Sequence, residues 1–245
     1  MDSQLLHLGM AKLCSTIVTV TASLFIRVNL WLKNMSKKQI EPTPKEIYKR
    51  TLELIEKERI FFLLTGGSTE SLLEASNIIR EIGFNLIGVD FQTHGAKDLL
   101  KSLRRQGQRN MGAFSISTKK ESRIAIRTGA TFIFSVNVDR GIIRRCKEEK
   151  VFHASGAFTP TEILNAYDLG AHAISLFPCG KMGGLSWLAF LRKILPRIKL
   201  IPTGMMSPYE AAEYLMSGAY AVAPMIDLEK IKELKKLIRE FLSIK

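Results

Sequence analysis

The sequence predicts an α/β fold, a single (β/α)8 TIM barrel with an extra N-terminal helix. From Pro44 onward, short β-rich runs alternate with longer amphipathic stretches, a pattern typical of βα units around a parallel sheet. The chain has 245 residues, a length that such a barrel commonly fills as one domain. A hydrophobic content of 46% without a low-complexity tract indicates a large core.

The predicted elements follow one another in a regular order. A helix over residues 44–57 comes first and is expected to cover the bottom of the barrel. Strands are then predicted at residues 59–64, 86–91, 110–116, 131–135, 151–154, 171–176, 199–202 and 220–223. Helices are predicted at residues 69–82, 96–106, 119–128, 141–149, 160–169, 186–195, 208–217 and 228–242. An active site in such a barrel lies in the loops after the strands.

Capping residues support these helix boundaries. Thr159 stands before Pro160 and Glu162, which supplies a hydroxyl cap, a first-turn proline and an early acid. The pair Ser207–Pro208 repeats the pattern. Glycines suited to helix C-termini follow four of the predicted helices, at Gly83, Gly129, Gly170 and Gly218.

Charge and cysteine content narrow the class of protein. The formal net charge of +13 favours anionic partners in general. The basic residues recur in stretches such as 97–105 and 229–236, which we interpret as solvated helix faces, and no nucleic-acid-binding signature accompanies them. No specific nucleic-acid partner is therefore expected. Cys14, Cys146 and Cys179 lack metal-ligand spacing, so we expect no metal, no disulfide framework and a reducing compartment.

The first part of the chain differs from the rest. We predict an N-terminal extension over residues 1–40 and the barrel over residues 41–245. The apolar run at 13–26 is shorter than the roughly 20 residues that span a membrane, and Arg27 would be costly inside one, so no firm span is predicted. The extension is either a targeting segment or an upstream addition before Met35. Localisation is accordingly cytoplasmic, or an organelle stroma or matrix if residues 1–34 are a transit peptide.

Glycine-containing stretches follow three of the predicted strands, at residues 65–68, 182–184 and 202–204. Phosphate binds where backbone N–H groups converge on a helix start, and glycine permits the close approach. Each stretch alone is equally explained as an ordinary turn. Their shared position at the catalytic end favours a site for a small anion.

A succession of motifs resembles one enzyme family. Residues 129–135 and 156–162, then Leu176-Phe177-Pro178 with Gly183–Gly184, and finally residues 202–204 resemble the 2-keto-3-deoxy-6-phosphogluconate (KDPG) and 4-hydroxy-2-oxoglutarate (KHG) aldolases in order and spacing. The resemblance implies a homotrimeric lyase without a cofactor, which cleaves a 2-keto acid to pyruvate and an aldehyde through a lysine Schiff base. It implies substrate-binding roles for Thr93, Ser115, Thr159, Phe177, Pro178, Gly183, Gly184, Thr203 and Gly204.

The chain departs from that family where the chemistry takes place. Ser175 stands in the place of the Schiff-base lysine, and a hydroxyl cannot condense with a ketone to an iminium. Gly88 and Gln92 stand where the family has a glutamate base and an arginine. Residues 223–225, Ala-Pro-Met, replace a phosphate-binding glycine stretch expected after the eighth strand.

Other residues are candidates for the missing roles. Strand alternation places Asp90 on the same face as Gly88, where it is expected either to act as a base or metal ligand or to hydrogen-bond the next loop. Lys181 is a candidate substitute amine or a solvated loop lysine. The catalytic candidates are thus Asp90, Lys181 and Ser175. The histidines at positions 94 and 153 could transfer protons, but a core or wall role fits His153 better.

Two functions remain open on these residues. One is an active aldehyde-lyase for 2-keto acids that uses a relocated lysine or an Asp90-centred enolate mechanism. The other is a catalytically dead aldolase-like scaffold that binds a small anion or a partner protein. The joint loss of lysine, glutamate and arginine favours the second function, the catalytically dead scaffold. Turnover or enolisation of a keto acid would separate the two.

Overall fold

A computed structural model describes residues 42–105, 107–229 and 233–244 of the chain. The predictions for the N-terminal extension, the start at Met35 and a transit peptide concern residues outside the described ones. Among the described residues, no helix combines the length and apolar character that crossing a membrane requires.

The strands form a closed, parallel eight-stranded barrel, so the predicted fold is confirmed. In chain order they are β1 (Phe62–Thr65), β2 (Ile87–Asp90), β3 (Met111–Ile116), β4 (Phe132–Ser135), β5 (Phe152–Gly156), β6 (Ala173–Leu176), β7 (Leu200–Gly204) and β8 (Ala223–Asp227). Each strand pairs with its sequence neighbour, and pairing of Leu63 with Met225 joins β1 to β8.

Helices precede and separate the strands. They are α1 (Pro44–Glu58), α2 (Thr69–Glu81), α3 (Ala96–Arg105), α4 (Lys119–Thr128), α5 (Arg140–Glu148), α6 (Pro160–Asp168), α7 (Gly184–Ile194), α8 (Pro208–Met216) and α9 (Leu234–Glu240). The capping signals act as predicted: Thr159 and Ser207 each form a reciprocal capping box with a glutamate three residues on. Gly129 ends α4 with a left-handed φ of 113°.

Aromatic rings fill the barrel interior. Phe61 lies at its centre, with ring centroids 5.0 Å from Phe132, 5.1 Å from Phe134 and 6.0 Å from Phe152. Ile55 of α1 is fully buried and belongs to the same cluster. Helix α1 therefore packs against the interior at the N-terminal ends of the strands. Side chains therefore fill the lower part of the barrel interior among the described residues.

Glycines on β2 and β3 make room for these large side chains. A Cβ added at Gly88 would lie 2.6 Å from Cδ2 of Leu63, and one at Gly112 would overlap the ring of Phe132. The space beside both glycines is thus filled by hydrocarbon. A longer side chain at position 88 has no space without rearrangement of the core.

The predicted end of the chain is wrong in two respects. The eighth strand was expected at residues 220–223, but β8 begins at Ala223, so Pro224 and Met225 lie within the strand rather than after it. The apolar run 220–223 has local strand character, and proline disfavours strand interiors. Both features place the predicted strand too early in the chain, before Pro224. Leu228 lies in a turn, and the last helix starts at Leu234 instead.

Candidate functional site

A cavity of about 440 Å³ opens among the C-terminal ends of strands β3 to β7. This is the end at which barrel enzymes carry their active sites. Phenylalanines form much of its wall, and hydroxyl and amide groups are interspersed among them. Of the residues singled out in the sequence, the lining includes Ser115, Ser175, Phe177 and Thr203.

The floor of the cavity is a pair of hydroxyl groups. Ser175 at the end of β6 is 3% exposed, and its Oγ donates to Oγ1 of Thr203 on β7 over 2.9 Å. Thr203 in turn donates to the carbonyl oxygen of Ile201 over 3.0 Å. The end of β6 therefore presents to the cavity a hydroxyl that is directed by a hydrogen-bond chain.

One wall is formed where β3 is irregular. The pairing of β3 with β4 shifts register between Ala113 and Ile116. Ser115, which lies between them, has a φ of 58°, a left-handed conformation that is costly for a residue other than glycine. Its carbonyl oxygen accepts a 3.0 Å hydrogen bond from Nε2 of Gln92. Gln92 thus supports the backbone behind the cavity from its position after β2.

The loop after β4 forms the adjoining wall and is fixed by a buried polar network. Oγ of Ser135 donates to the carbonyl oxygen of Asn137 over 2.9 Å and lies 3.0 Å from Nε2 of His153. Because the serine hydroxyl donates to the carbonyl, Nε2 of His153 is its donor. Ser155 also donates to Asn137. Gly156 allows the close approach, since a Cβ there would lie 2.5 Å from the backbone of Val136.

His153 belongs to the packing behind the cavity and not to its lining. It is fully buried, and Nδ1 has no hydrogen-bond partner. Burial and then the nearby His172 lower its pKa from the ordinary value of 6.5 to about 3. His153 is therefore a neutral wall histidine, and His94 is exposed outside the cavity.

Glu162 is the one charged residue among those that line the cavity in the described part of the chain. Its carboxylate accepts hydrogen bonds from the backbone N–H groups of Thr159 (2.9 Å) and Phe158 (3.0 Å). These bonds, and then the Thr159 hydroxyl, hold the pKa of Glu162 below its ordinary value. Thr159 itself is the helix cap and does not line the cavity. A negative charge therefore stands at this rim.

Asp90 and the residues after β2 lie outside the cavity lining. The carboxylate of Asp90 accepts a 2.9 Å bond from the Thr65 hydroxyl and a 3.1 Å bond from the backbone N–H of Gln92. The N–H of Thr93 donates to the carbonyl of Asp90 over 3.1 Å. One oxygen of the carboxylate thus holds the end of β1, and the other holds the loop after β2. Within the described residues, no group of three histidine, cysteine or acidic side chains could hold a metal.

Lys181 and the second glycine stretch also lie away from the cavity lining. Lys181 is exposed in a short 3-10 helix, Gly180–Met182, which follows the cis Phe177–Pro178 bond. Gly183 and Gly184 start helix α7, and the N–H of Gly184 donates to the carbonyl of Cys179 over 2.9 Å. Burial raises the pKa of the Cys179 thiol, which does not favour a nucleophilic role.

The first glycine stretch faces carboxylates of its own chain. The N–H of Gly67 donates to Oε1 of Glu229 over 3.3 Å. A Cβ on Gly66 would lie 3.0 Å from Oδ1 of Asp227. Near the third stretch, Gly204 ends β7 with a φ of 144°, but it does not line the cavity. Acidic side chains thus stand at the glycine loop where the sequence favoured an anion.

Several cavity residues were missed at the level of sequence. Strand alternation from Phe132 points Phe134 into the barrel mouth, and Asn165 shares a helix face with Glu162, three residues earlier. Neither residue type suggested a site by itself. The remaining contributors come from loops, whose course the sequence pattern does not specify; among them are Val136, Asn137 and Phe158.

Residues 52–236 match the aldolase family described as KDPG and KHG aldolase. The chain belongs to this family. A 2-dehydro-3-deoxy-phosphogluconate aldolase of Haemophilus influenzae is 22% identical over 79% of this chain and 97% of its own. The counterpart from Treponema pallidum is 23% identical over 66% of this chain and 78% of its own.

Solved structures of KDPG aldolases share the fold. The Zymomonas mobilis enzyme with 3-phosphoglycerate superposes with a TM-score of 0.70 at 18% identity, covering 81% of this chain and 97% of that one. The Legionella pneumophila enzyme, captured with pyruvate as a covalent carbinolamine, superposes with a TM-score of 0.67 at 17% identity. The match covers 83% of this chain and 97% of that one. At these identities the likeness establishes the fold alone, so the function of this KDPG/KHG-family barrel must be argued from its own site.

Proposed function

We propose that this chain is an aldolase-family barrel without Schiff-base aldolase activity, whose cavity binds a small uncharged molecule. The Ser175 hydroxyl on the cavity floor carries the proposal, because it occupies the place from which the family's lysine would act. An iminium requires an amine, and Ser175 with Thr203 can only donate or accept hydrogen bonds. Lys181, the nearest substitute in the sequence, is exposed and lies outside the lining.

The charges around the cavity favour an uncharged ligand. A 2-keto acid brings a carboxylate, and a buried carboxylate needs a cation or several hydrogen-bond donors. Among the described residues that line the cavity there is no lysine or arginine, whereas the Glu162 carboxylate stands at the rim. Phe114, Phe134 and Phe177 offer apolar walls beside the two floor hydroxyls. These features suit a small molecule with one or two polar groups and weigh against an anion.

Pyruvate enolisation tests the loss of aldolase chemistry. The purified full chain is incubated with pyruvate in heavy water, and NMR follows exchange of the methyl protons, with a lysine-bearing KDPG aldolase as positive control. We expect exchange no faster than in a protein-free sample, because no amine lines the cavity and Gly88 stands where the resemblance implies a glutamate base. Exchange faster than in the protein-free sample would contradict the proposal. If Asp90→Asn or Lys181→Gln then abolished that exchange, the active-lyase alternative would be established.

Ligand charge tests the binding half of the proposal separately. Pyruvamide carries the keto group of pyruvate without its negative charge. We expect millimolar pyruvamide to raise the thermal unfolding temperature more than pyruvate does, and Thr203→Val, which removes a floor hydroxyl, to reduce that difference. A larger stabilisation by pyruvate than by pyruvamide would contradict an uncharged ligand.

We further propose that the chain forms a homo-oligomer, the trimer that the family resemblance implies. Trp187 of α7 stacks between Phe158 (centroids 5.6 Å apart) and Phe190 (5.4 Å), and the side chain of Phe190 is 48% exposed. Exposed aromatic stacks of this kind are typical of subunit contacts. One structural neighbour, with a TM-score of 0.69 at 18% identity, is a protein cage designed by fusing symmetric oligomeric domains.

Sedimentation of a charged variant tests this contact. We expect the wild-type chain to sediment as a trimer and Phe190→Asp to shift it toward the monomer, because a carboxylate would be buried in an apolar contact. Leu242→Asp, at another exposed apolar residue, is the matched control and should leave the mass unchanged. An unaltered mass for Phe190→Asp would exclude this stack as the interface.

A further inference from the structure

The N-terminal end of the barrel, opposite the cavity, carries a basic pocket. It has a volume of about 430 Å³ and lies between the loops that lead into β1, β7 and β8. Its basic side chains are Arg59, Arg192, Arg197 and Lys199, and Glu56 is the acid among the described residues that line it. Four cations around one pocket create a positive potential that water at this surface only partly screens.

A second basic pocket lies at the same end of the barrel. Its volume is about 280 Å³, and it is bounded by the ends of helices α3, α4 and α5. The cations that line it are Arg104, Arg109, Arg127 and Lys150. Its one carboxylate in the described chain, Glu149, is already paired with Arg145 at 3.0 Å.

Basic residues connect the two pockets. A smaller cavity of about 130 Å³ shares Arg197 and Lys199 with the first pocket and extends to His172. Burial lowers the pKa of His172 from its ordinary value. The positive charges of Lys199 and Lys147 lower it further. Lys147 belongs to α5, which leads directly to the second pocket. We call the cations of the two pockets, together with Lys147, the basic arc.

Helix dipoles explain only part of the basic arc. Cations in the last turn of a helix are ordinary, because they stabilise the negative end of the helix dipole. Four cations are of this kind: Arg104, Arg127, Lys147 and Arg192. Lys150, Arg197 and Lys199, by contrast, lie beyond the helix ends in loops that precede strands. The fold therefore gathers cations from separate loops on one end of the barrel, although no stretch of sequence is a basic patch.

Hydrogen bonds hold two arginines of the arc in place. Arg59 donates to the carbonyl oxygens of Tyr220 (3.0 Å) and Ala219 (2.5 Å). Arg192 donates to the carbonyl oxygen of Ile198 over 3.1 Å as well as to that of Pro196. A guanidinium has five N–H donors, so each arginine keeps donors for a ligand. Fixing these side chains in advance lowers the entropy lost on binding.

We propose that the basic arc binds single-stranded nucleic acid through its phosphates, without sequence specificity. The cations lie in a run of concave pockets, which suits a narrow charged strand better than the plane of a membrane. Tyr167 lines the connecting cavity beside Arg197 and is 48% exposed, so its ring is available for stacking on a base. A predominance of arginine also suits phosphate, which accepts its forked donors.

Fluorescence anisotropy with a labelled oligouridylate of about 20 nucleotides tests the inference on the full chain. The double variants R197Q/K199Q and R127Q/K150Q each remove two cations of the arc at different pockets. K120Q/R123Q removes two exposed cations from α4 outside the pockets and serves as the control. Thermal unfolding of each variant checks that the barrel is retained.

Binding is expected to weaken steeply between about 50 and 200 mM salt. Each arc variant is expected to raise Kd at least tenfold at low salt and to lower the slope of log K against log salt by about 1.4, whereas the control changes neither. No binding by the wild-type chain at low salt, or equal effects of control and arc variants, would overturn the proposal. So would equal displacement by polyglutamate, or tighter binding to phosphatidylserine vesicles than to the oligonucleotide.

Discussion

Replacement of Gly112 by alanine is expected to lower the free energy of unfolding by about 3 kcal/mol or more. The added methyl group would overlap the ring of Phe132. That ring cannot retreat, because Phe61 lies 5.0 Å and Phe134 6.1 Å from it between ring centroids. Overpacking in a closed barrel must therefore displace a strand or force several side chains from their rotamers.

Urea unfolding followed by far-ultraviolet circular dichroism measures this effect. Gly180→Ala is the matched control, since the nearest atom to an added Cβ there is the Tyr214 hydroxyl at 3.9 Å. The free energy of unfolding of the control should lie within about 0.5 kcal/mol of the wild-type value. If Gly112→Ala has the same free energy of unfolding as the control, the phenylalanine cluster is looser than its ring distances indicate.

The same crowding bears on the proposed absence of Schiff-base aldolase activity. The family resemblance places a glutamate at position 88, where an added Cβ would lie 2.6 Å from Cδ2 of Leu63. A lysine introduced at position 175 alone would therefore supply an amine without a neighbouring base at position 88, and the described cavity lining offers no cation for a substrate carboxylate. Hydrocarbon fills the barrel interior at this level, so we expect no aldolase activity from a single substitution at position 175.

The barrel could be predicted from sequence because its signals are local. Strand alternation, hydroxyl caps such as Thr159 and the terminal glycine Gly129 each act over a few residues. The prediction of β8 was wrong for the same reason: residues 220–223 have local strand character, and the pairing that fixes Ala223–Asp227 involves β1, far away in the chain. Pairing across the closure of a barrel leaves little trace in the sequence.

The site was only partly predictable. Ser175, Thr203, Ser115 and Phe177 do meet at one cavity, since each lies at the end of its strand. The glycine stretch at Gly183 does not reach it, because its backbone is engaged in the turn before α7. The basic arc escaped prediction altogether, since its cations come from loops that only the closed barrel brings together.

Acidification is expected to destabilise the barrel through His153. The folded state holds this histidine neutral with a pKa of about 3, whereas the unfolded chain titrates near the ordinary 6.5. Between these values the unfolded state binds more protons, so the contribution is fully present above pH 6.5 and is lost as pH falls toward 3. At pH 5 the loss from this one group is about 2 kcal/mol.

Urea unfolding at pH 7.5 and pH 5 measures the difference, and His153→Gln identifies its source. Glutamine keeps an amide donor toward Ser135 but cannot titrate, so this variant should lose about 2 kcal/mol less stability on acidification than the wild type. The control His94→Gln removes an exposed histidine. It should lose as much free energy of unfolding between pH 7.5 and pH 5 as the wild type does. Equal pH dependence in all three proteins would show that His153 reaches solvent and that the polar network behind the cavity opens before it protonates. A flattened dependence in His153→Gln alone would tie the loop at Asn137, and with it one wall of the cavity, to the neutral state of a single buried ring.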